Sequence, residues 1–294
     1  MAKVAFIFPG QGSQTVGMGK DLFDNFSAAR EVFEEADEAL GFSLSEMCFS
    51  GREEDLAMTA NTQPAILTTS VAAFRAMEAE GFAAPDFVAG HSLGEYSALV
   101  AAGVLGFADA VRTVRKRGTY MQEAVPVGVG AMAAILGADV ETVEAACSDA
   151  AQGQVCSPAN INSPSQIVIA GDADAVDRAC ELLKERGAKR AVKLNVSAPF
   201  HCSLMMPAQE RLEQDLRALR YAGFRFPIVH NVDAAINSDE TRVCDALTQQ
   251  VSGPVKWLQS VRVLRDQGVE TVVEVGAGKV LSGLVRQIDR DVRC

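Results

Sequence analysis

The chain has 294 residues, 48% hydrophobic and 22% charged, a balance that suits a soluble globular protein with one large domain or one domain carrying a smaller insert. A net charge of −11 argues against nucleic acid as a partner, because phosphate contacts need a basic face. No apolar run approaches the roughly 18 residues of a membrane span, and seven scattered cysteines without a C-x-x-C pair, beside only three histidines, argue against a zinc site and for a reducing, cytoplasmic compartment.

Val4–Phe8 reads as a buried first strand rather than part of a signal peptide, and Pro9-Gly10-Gln11-Gly12-Ser13-Gln14 as a glycine-rich loop. Apolar spacing at Val32, Phe33, Ala36 and Leu40 predicts a helix over Ala28–Leu40. Another helix follows Asn61-Thr62-Gln63-Pro64, with Pro64 in its first turn and Gly81 as its stop. The apolar run Phe87-Val88-Ala89 then leads through Gly90-His91-Ser92-Leu93-Gly94 into the helix-forming run Glu95–Ala102. A G-x-S-x-G between strand and helix reads as a nucleophile elbow, with the Ser92 oxygen held at a helix N-terminus that favours negative charge. Strands alternating with helices imply a parallel sheet covered on both faces.

The middle of the chain changes character. Strands are expected over Gly130–Gly137, Val155–Ile161, Gln166–Ala170 and Lys189–Val196, with helices over Val140–Ala151 and Asp174–Arg186. That βαββαβ order is the ferredoxin-like split motif. It places an inserted small domain at 127–197 inside a large domain formed by 1–126 and 198–294, with hinges at Pro126-Val127-Gly128 and Ala198-Pro199. Beyond it a helix is expected over Leu204–Leu219, a strand over Ile228–Asn231, a helix over Val255–Gln267 and a strand over Thr271–Val275. Gly276-Ala277-Gly278 then opens a last helix, and Gly276-Ala277-Gly278-Lys279 lacks the spacing of a phosphate-binding P-loop.

Ser92 needs a base. His91 is adjacent, but the sharp turn hinders its ring from reaching the Ser92 oxygen. His230 ends an apolar strand, the setting of a structural histidine. His201 lies in the irregular segment Ser197–Ser203 at the expected hinge, where functional residues collect, and leads the three. No loop carboxylate between Ser92 and His201 stands out as the group to orient the imidazole. Gln250 lies near a helix end, and chain order alone does not separate an orienting role from an ordinary helix-terminal amide. At about 100° per residue over Phe107–Met121, Phe107, Ala110, Val114, Gly118 and Met121 share one face, and Arg117 falls within roughly 60° of its centre. Arg112 and Lys116 lie opposite. An arginine on an apolar face needs an anionic partner, either an internal salt bridge or a substrate carboxylate gripped by its fork.

Gly10-Gln11-Gly12-Ser13-Gln14 after Phe8-Pro9, Gly90-His91-Ser92-Leu93-Gly94-Glu95, Asn162-Ser163-Pro164 and Pro199-Phe200-His201, in this order, resemble the malonyl-CoA:acyl carrier protein transacylases of fatty acid synthesis and the acyltransferase domains of polyketide synthases. The resemblance runs from Phe6 to about Val285 and implies a large α/β-hydrolase-like domain with the ferredoxin-like insert. It implies Ser92 as the acyl-carrying nucleophile, His201 as base and then acid, and the Gln250 side-chain carbonyl as acceptor of the other imidazole proton. Backbone N–H groups of Gln11 and Leu93 would form the oxyanion hole, Arg117 would hold the malonyl carboxylate, and Phe200 matches the malonyl-selective form of its segment. No bound cofactor is implied, only a coenzyme A thioester as substrate and acyl carrier protein as partner. Ala277 replaces the family's usual proline, with little effect expected, and the chain ends at Cys294 somewhat short of some relatives, which implies a trimmed tail. The rival classes are a serine thioesterase or esterase and a non-catalytic carrier-binding scaffold. Because carrier proteins are acidic, a local basic patch is expected, with Lys184, Arg186, Lys189, Arg190 and Lys193 as candidates against a merely solvated charged face.

Overall fold

The computed structural model describes residues 2–196 and 198–294. Ser197, the last residue of the expected insert, lies outside the described residues, as does Met1. The first half of the chain forms β1 (Lys3–Phe8), α1 (Lys20–Asn25), α2 (Ser27–Leu40), α3 (Leu44–Ser50), α4 (Glu53–Ala57), α5 (Thr59–Ala79), β2 (Phe87–Gly90), α6 (Gly94–Ala101) and α7 (Phe107–Glu123). A second group follows: β3 (Gly130–Leu136), α8 (Val140–Ala151), β4 (Cys156–Ser163), β5 (Gln166–Asp172), α9 (Ala173–Glu185) and β6 (Arg190–Lys193). The chain closes with α10 (Met206–Arg217), β7 (Ile228–Val229), β8 (Ile236–Asn237), α11 (Val243–Gln250), α12 (Trp257–Asp266), β9 (Val269–Glu274) and α13 (Val280–Ile288).

Two sheets result. One has the order β8-β7-β2-β1-β9, with β1 parallel to β2 and β9, β2 parallel to β7, and β8 antiparallel at the edge. The other, β4-β5-β3-β6, is antiparallel throughout. β1 is apolar from Val4 onward and buried from Ala5 to Phe8, as a central parallel strand covered on both faces must be. Because β1 and β2 run parallel with Phe8 opposite Gly90, the glycine-rich loop and the elbow emerge side by side at their carboxyl ends. Ligands of open α/β sheets bind at such ends.

The largest core packs α2, α5, α6 and α7 against one face of the parallel sheet and also takes in Met132, Val168 and Ala170 from the antiparallel sheet. A separate core lies between the other face of that sheet and α8 and α9, built on Ala133, Ile135, Ile167 and Ile169. The antiparallel sheet is tied to the segment between α11 and α12 where Ile161 N–H donates to Val255 O (2.9 Å) and Val255 N–H donates to Ala159 O (2.9 Å). Among the described residues no helix is long and apolar enough to cross a membrane.

Several boundaries differ from the sequence reading for physical reasons. α5 starts at Thr59, so Pro64 sits in its second turn rather than its first; the Asn61 and Thr62 N–H groups already donate to Met58 O. α12 starts at Trp257, because Val255 is engaged in the bridge to Asn160. β7 stops at Val229, and His230 and Asn231 leave the strand to bind a buried carboxylate. The expected helix over Leu204–Leu219 is a 3-10 turn at Ser203–Met205 followed by α10.

Candidate active site

The turn after β2 is sterically forced. Ser92 sits in the left-handed region at φ 51°, a conformation that costs a non-glycine residue energy and is kept only where surroundings impose it. A Cβ on Gly90 would lie 2.0 Å from the Gly94 carbonyl oxygen, and a Cβ on Gly94 would lie 2.0 Å from Phe8 O. Both contacts are prohibitive, so the glycines of the elbow are steric requirements.

Around Ser92 the structure brings together Gln11, Leu93, Arg117, Phe200, His201 and Gln250. Ser92 Oγ and His201 Nε2 are 2.7 Å apart. His201 Nδ1 faces two carbonyl oxygens, Gln250 O at 2.9 Å and Gly253 O at 3.2 Å. Both can only accept, so Nδ1 carries the proton and Nε2 is left as the acceptor of the Ser92 hydroxyl. The expectation for Gln250 needs correction here: its main-chain carbonyl, not its side chain, orients the imidazole. α11 ends at Gln250, and the last carbonyls of a helix have no intrahelical donor.

The Gln250 side chain is used elsewhere. Its Oε1 accepts from Arg117 Nη2 (2.9 Å), and its Nε2 donates to Ser92 O (2.9 Å) and Glu95 Oε2 (2.9 Å). Arg117 is 1% exposed. Its Nη1 donates to Gln63 Oε1 (2.8 Å), its Nη2 also donates to Ser92 Oγ (3.2 Å), and the guanidinium lies over the Tyr96 ring at 5.7 Å. Among the described residues Arg117 has no carboxylate in ion-pair range and its Nε has no partner. Of the two readings of an arginine on an apolar face, the internal salt bridge is therefore not realised. What remains is a buried, incompletely satisfied cation beside the nucleophile.

Gln11, Leu93, Arg117, Met132, Phe200 and His201 line one cavity with Ser92. The Gln11 and Leu93 N–H groups make no backbone hydrogen bond among the described residues, and Leu93 stands at the N-terminus of α6. Free amides at such a position suit an oxyanion. Phe200 is 8% exposed and belongs to the apolar wall.

Beneath the elbow lies a polar network that the sequence reading missed. Glu95 is fully buried in α6. Its Oε1 accepts from His230 Nδ1 (2.6 Å) and its Oε2 from Asn231 N–H (2.9 Å) and Gln250 Nε2. Asn231 in turn accepts the Ser92 N–H on Oδ1 (2.6 Å) and donates to Gly90 O (2.6 Å). His91 turns away from Ser92, to Asn162 Oδ1 (2.8 Å), and burial lowers its pKa. A signal for Glu95 existed: it is the lone charge in a helix that is otherwise apolar or small, and a buried carboxylate must be hydrogen-bonded. Asn231→Ala would strand the Ser92 N–H and the Gly90 carbonyl without water to replace the amide. A loss of about 2 kcal/mol is expected, read as a lower urea midpoint with unchanged m-value.

His201 titrates far from its ordinary value. Burial, and secondarily the Arg117 cation, push its pKa down to about 3. The imidazole is therefore a neutral base throughout the physiological range, and what opposes its protonation is identifiable.

Comparison with known proteins identifies the family and the fold. A family described as the acyl transferase domain matches residues 5–291. The malonyl CoA-acyl carrier protein transacylase of Escherichia coli K12 is 51% identical over 288 residues, covering 98% of this chain and 93% of that protein. The Bacillus subtilis protein of the same name is 50% identical over 294 residues, covering 100% and 92%. An acyl carrier protein S-malonyltransferase from Vibrio cholerae superposes with a TM-score of 0.97 at 48% identity, covering 99% of this chain and 95% of that one. A malonyl-transacylase solved in complex with its type II PKS acyl-carrier protein gives 0.96 at 46% identity, covering 99% and 94%.

Proposed function

The chain belongs to the acyl transferase family, and from that premise we propose how Ser92 performs its reaction. The enzyme transfers the malonyl group of malonyl-CoA to the phosphopantetheine thiol of acyl carrier protein, supplying fatty acid synthesis. In the first half-reaction Ser92 gives its proton to His201 Nε2 and its oxygen attacks the thioester carbonyl. The Gln11 and Leu93 N–H groups hold the resulting oxyanion. Collapse breaks the carbon–sulfur bond, and the CoA thiol leaves with the proton from His201. The carrier thiol then attacks the malonyl-Ser92 ester by the same steps, giving its proton to His201, which returns it to Ser92. Both half-reactions balance without a bound cofactor, and coenzyme A enters only as thioester substrate. Throughout, the Arg117 guanidinium pairs with the malonyl carboxylate, and Phe200 packs beside it.

The single observation that carries this reading is the buried Arg117, within 3.2 Å of Ser92 Oγ and without a carboxylate of its own among the described residues. A plain esterase has no use for it. The division of labour follows the two sheets: a large α/β-hydrolase-like domain of 1–126 and 198–294 carries the nucleophile and base, and a ferredoxin-like domain of 127–197 closes the cavity with Met132, Leu194 and Val196. A cytoplasmic setting is supported by seven free cysteines.

The test is brief incubation with malonyl-CoA, acid quench and intact mass measurement with peptide mapping. The expected result is one malonyl adduct on the peptide carrying Ser92, discharged by holo acyl carrier protein. Adduct discharged only by water would favour a thioesterase, and no adduct at all would favour a carrier-binding scaffold.

A further inference from the structure

The carboxylate buried beneath the elbow has a protonation state that its neighbours dictate. Asn237, in β8, is 2% exposed, and its amide is oriented by the main chain of Asp239. Its Oδ1 accepts from Asp239 N–H (2.9 Å), and its Nδ2 donates to Asp239 O (3.0 Å). The same Nδ2 lies 2.9 Å from His230 Nε2. An amide nitrogen only donates, so His230 Nε2 accepts and carries no proton. The single proton of a neutral imidazole is then on Nδ1, which donates to Glu95 Oε1 (2.6 Å). His230 therefore gives Glu95 a hydrogen bond and no charge.

On its other oxygen Glu95 accepts from Asn231 N–H (2.9 Å) and Gln250 Nε2 (2.9 Å). The Gln250 amide is oriented in turn by Arg117, a pure donor, on its Oε1 (2.9 Å). Among the described residues three donors and no acceptor face the carboxyl, which leaves no partner for a proton on it. Glu95 is thus an ionised, fully buried group whose direct partners are all neutral. The cation it reaches is Arg117, through an amide whose N–H end meets the carboxylate and whose carbonyl end meets the guanidinium. That head-to-tail chain polarises in the sense that stabilises both charges.

We infer that Glu95 is a positioning residue that sets the strength of the Arg117 clamp, its unpaired charge tempering the hold of the guanidinium on a substrate carboxylate. The inference rests on the acyl-transfer reading. The same carboxylate holds the guanidinium through Gln250 and the Ser92 turn through Asn231, whose Oδ1 accepts the Ser92 N–H. With no counter-charge, the buried cation would be costly and would grip a malonyl carboxylate with its full field. In contact with a carboxylate, it would have its fork occupied. One intervening amide gives the intermediate case. A malonyl group has to arrive from coenzyme A and leave on the carrier, so a graded grip serves turnover where a maximal one would hold the acyl-enzyme back.

The test has two arms. In the first, the wild type labelled with 15N-histidine is observed by NMR at pH 7. The chain has three histidines, and burial lowers the pKa of both His91 and His201, so an imidazolium pattern would belong to His230. Its absence is expected; its presence would pair the Glu95 charge locally and overturn the inference. In the second arm the charge is moved. Glu95→Gln alone turns an amide nitrogen toward a donor and should load malonyl-CoA and acetyl-CoA poorly alike. Adding Asn237→Asp lets His230 take the opposite tautomer, donating from Nε2 to the new carboxylate and accepting on Nδ1 from the new amide. The hydrogen bonds around position 95 are then restored with the negative charge on the far side of the imidazole. In single-turnover loading of this double variant, the half-saturating malonyl-CoA concentration should fall about fivefold against wild type, with that for acetyl-CoA unchanged. An unchanged or raised malonyl-to-acetyl ratio would reduce Glu95 to a structural support and overturn the inference. If the double variant does not fold, the histidine arm decides. That arm needs no turnover, so failure of the acyl-transfer reading, seen as a wild type that loads no malonyl group, stays distinguishable.

Discussion

Replacing Arg117 by alanine is expected to lower kcat/KM for malonyl-CoA by about a hundredfold or more while leaving acetyl-CoA loading equal or faster. The first reason is direct. A buried, hydrogen-bonded charge pair costs about 3 kcal/mol when one partner is removed, roughly two powers of ten in rate. The second reason lies in the coupling between Arg117 and His201. The guanidinium lowers the basicity of the imidazole, so in the free enzyme it opposes the imidazolium that forms when Ser92 gives up its proton. A malonyl carboxylate on Arg117 neutralises that charge, whereas an acetyl group leaves it in place. Selectivity therefore acts on the chemical step as well as on binding, because the correct acyl group restores the base. Arg117→Lys separates the two effects. It keeps the charge and loses the fork, so malonyl loading should weaken while acetyl loading stays slow. Parallel loading rates with both thioesters check this, and an unchanged malonyl-to-acetyl ratio in Arg117→Ala would remove the clamp from the mechanism.

What could be read from the residues divides by physical kind. The elbow was legible because a strand, two glycines and a helix are local features, and the close contacts at Gly90 and Gly94 show why no other residue fits there. Arg117 was legible from helical geometry, since a charge within an apolar face is a conflict visible in one dimension. His201 emerged because the chain has only three histidines. The atom that orients His201 was not legible. Gln250 matched a family motif, but which of its carbonyls faces the imidazole depends on α11 ending at that residue and on Gly253 turning back beside it. Glu95, Asn231 and Gln63 were missed for a related reason. Their side-chain partners around the site are 54 to 155 positions away, and only folding sets Glu95 one amide away from Arg117. That relay, Arg117 to Gln250 to Glu95, offsets a buried cation without closing an ion pair on it, which leaves the guanidinium able to take a substrate carboxylate. The short helices α1, α3 and α4 escaped because six, seven and five residues carry too little periodicity to read.

His201→Ala is expected to lower kcat/KM for malonyl loading by about 10³–10⁴-fold, the range for removal of a general base whose oxyanion hole survives. The wild-type pH dependence gives the same residue a second signature. With its pKa pushed down to about 3 by burial first and Arg117 second, the free enzyme keeps a neutral imidazole well below pH 6.5, the ordinary value for histidine. The kcat/KM for malonyl-CoA should therefore show no acid limb between pH 8 and pH 5. In Arg117→Ala the Coulombic contribution disappears while burial remains, so the acid limb should move upward in pH without reaching 6.5. Stability follows the same sign. Below pH 6.5 the unfolded chain takes up a proton at this position that the native state refuses, so His201 makes the fold progressively less stable as pH falls from 6.5 toward 3. His201→Ala should remove the His201 share of that dependence, leaving the smaller drop that comes from His91, whose pKa burial also lowers, and denaturant midpoints at pH 7 and pH 5 for both proteins measure it. An acid limb near pH 6.5 in the wild type, unmoved by Arg117→Ala, would mean that the imidazole does not feel the guanidinium. The idea that the malonyl carboxylate activates its own base would then have to be abandoned.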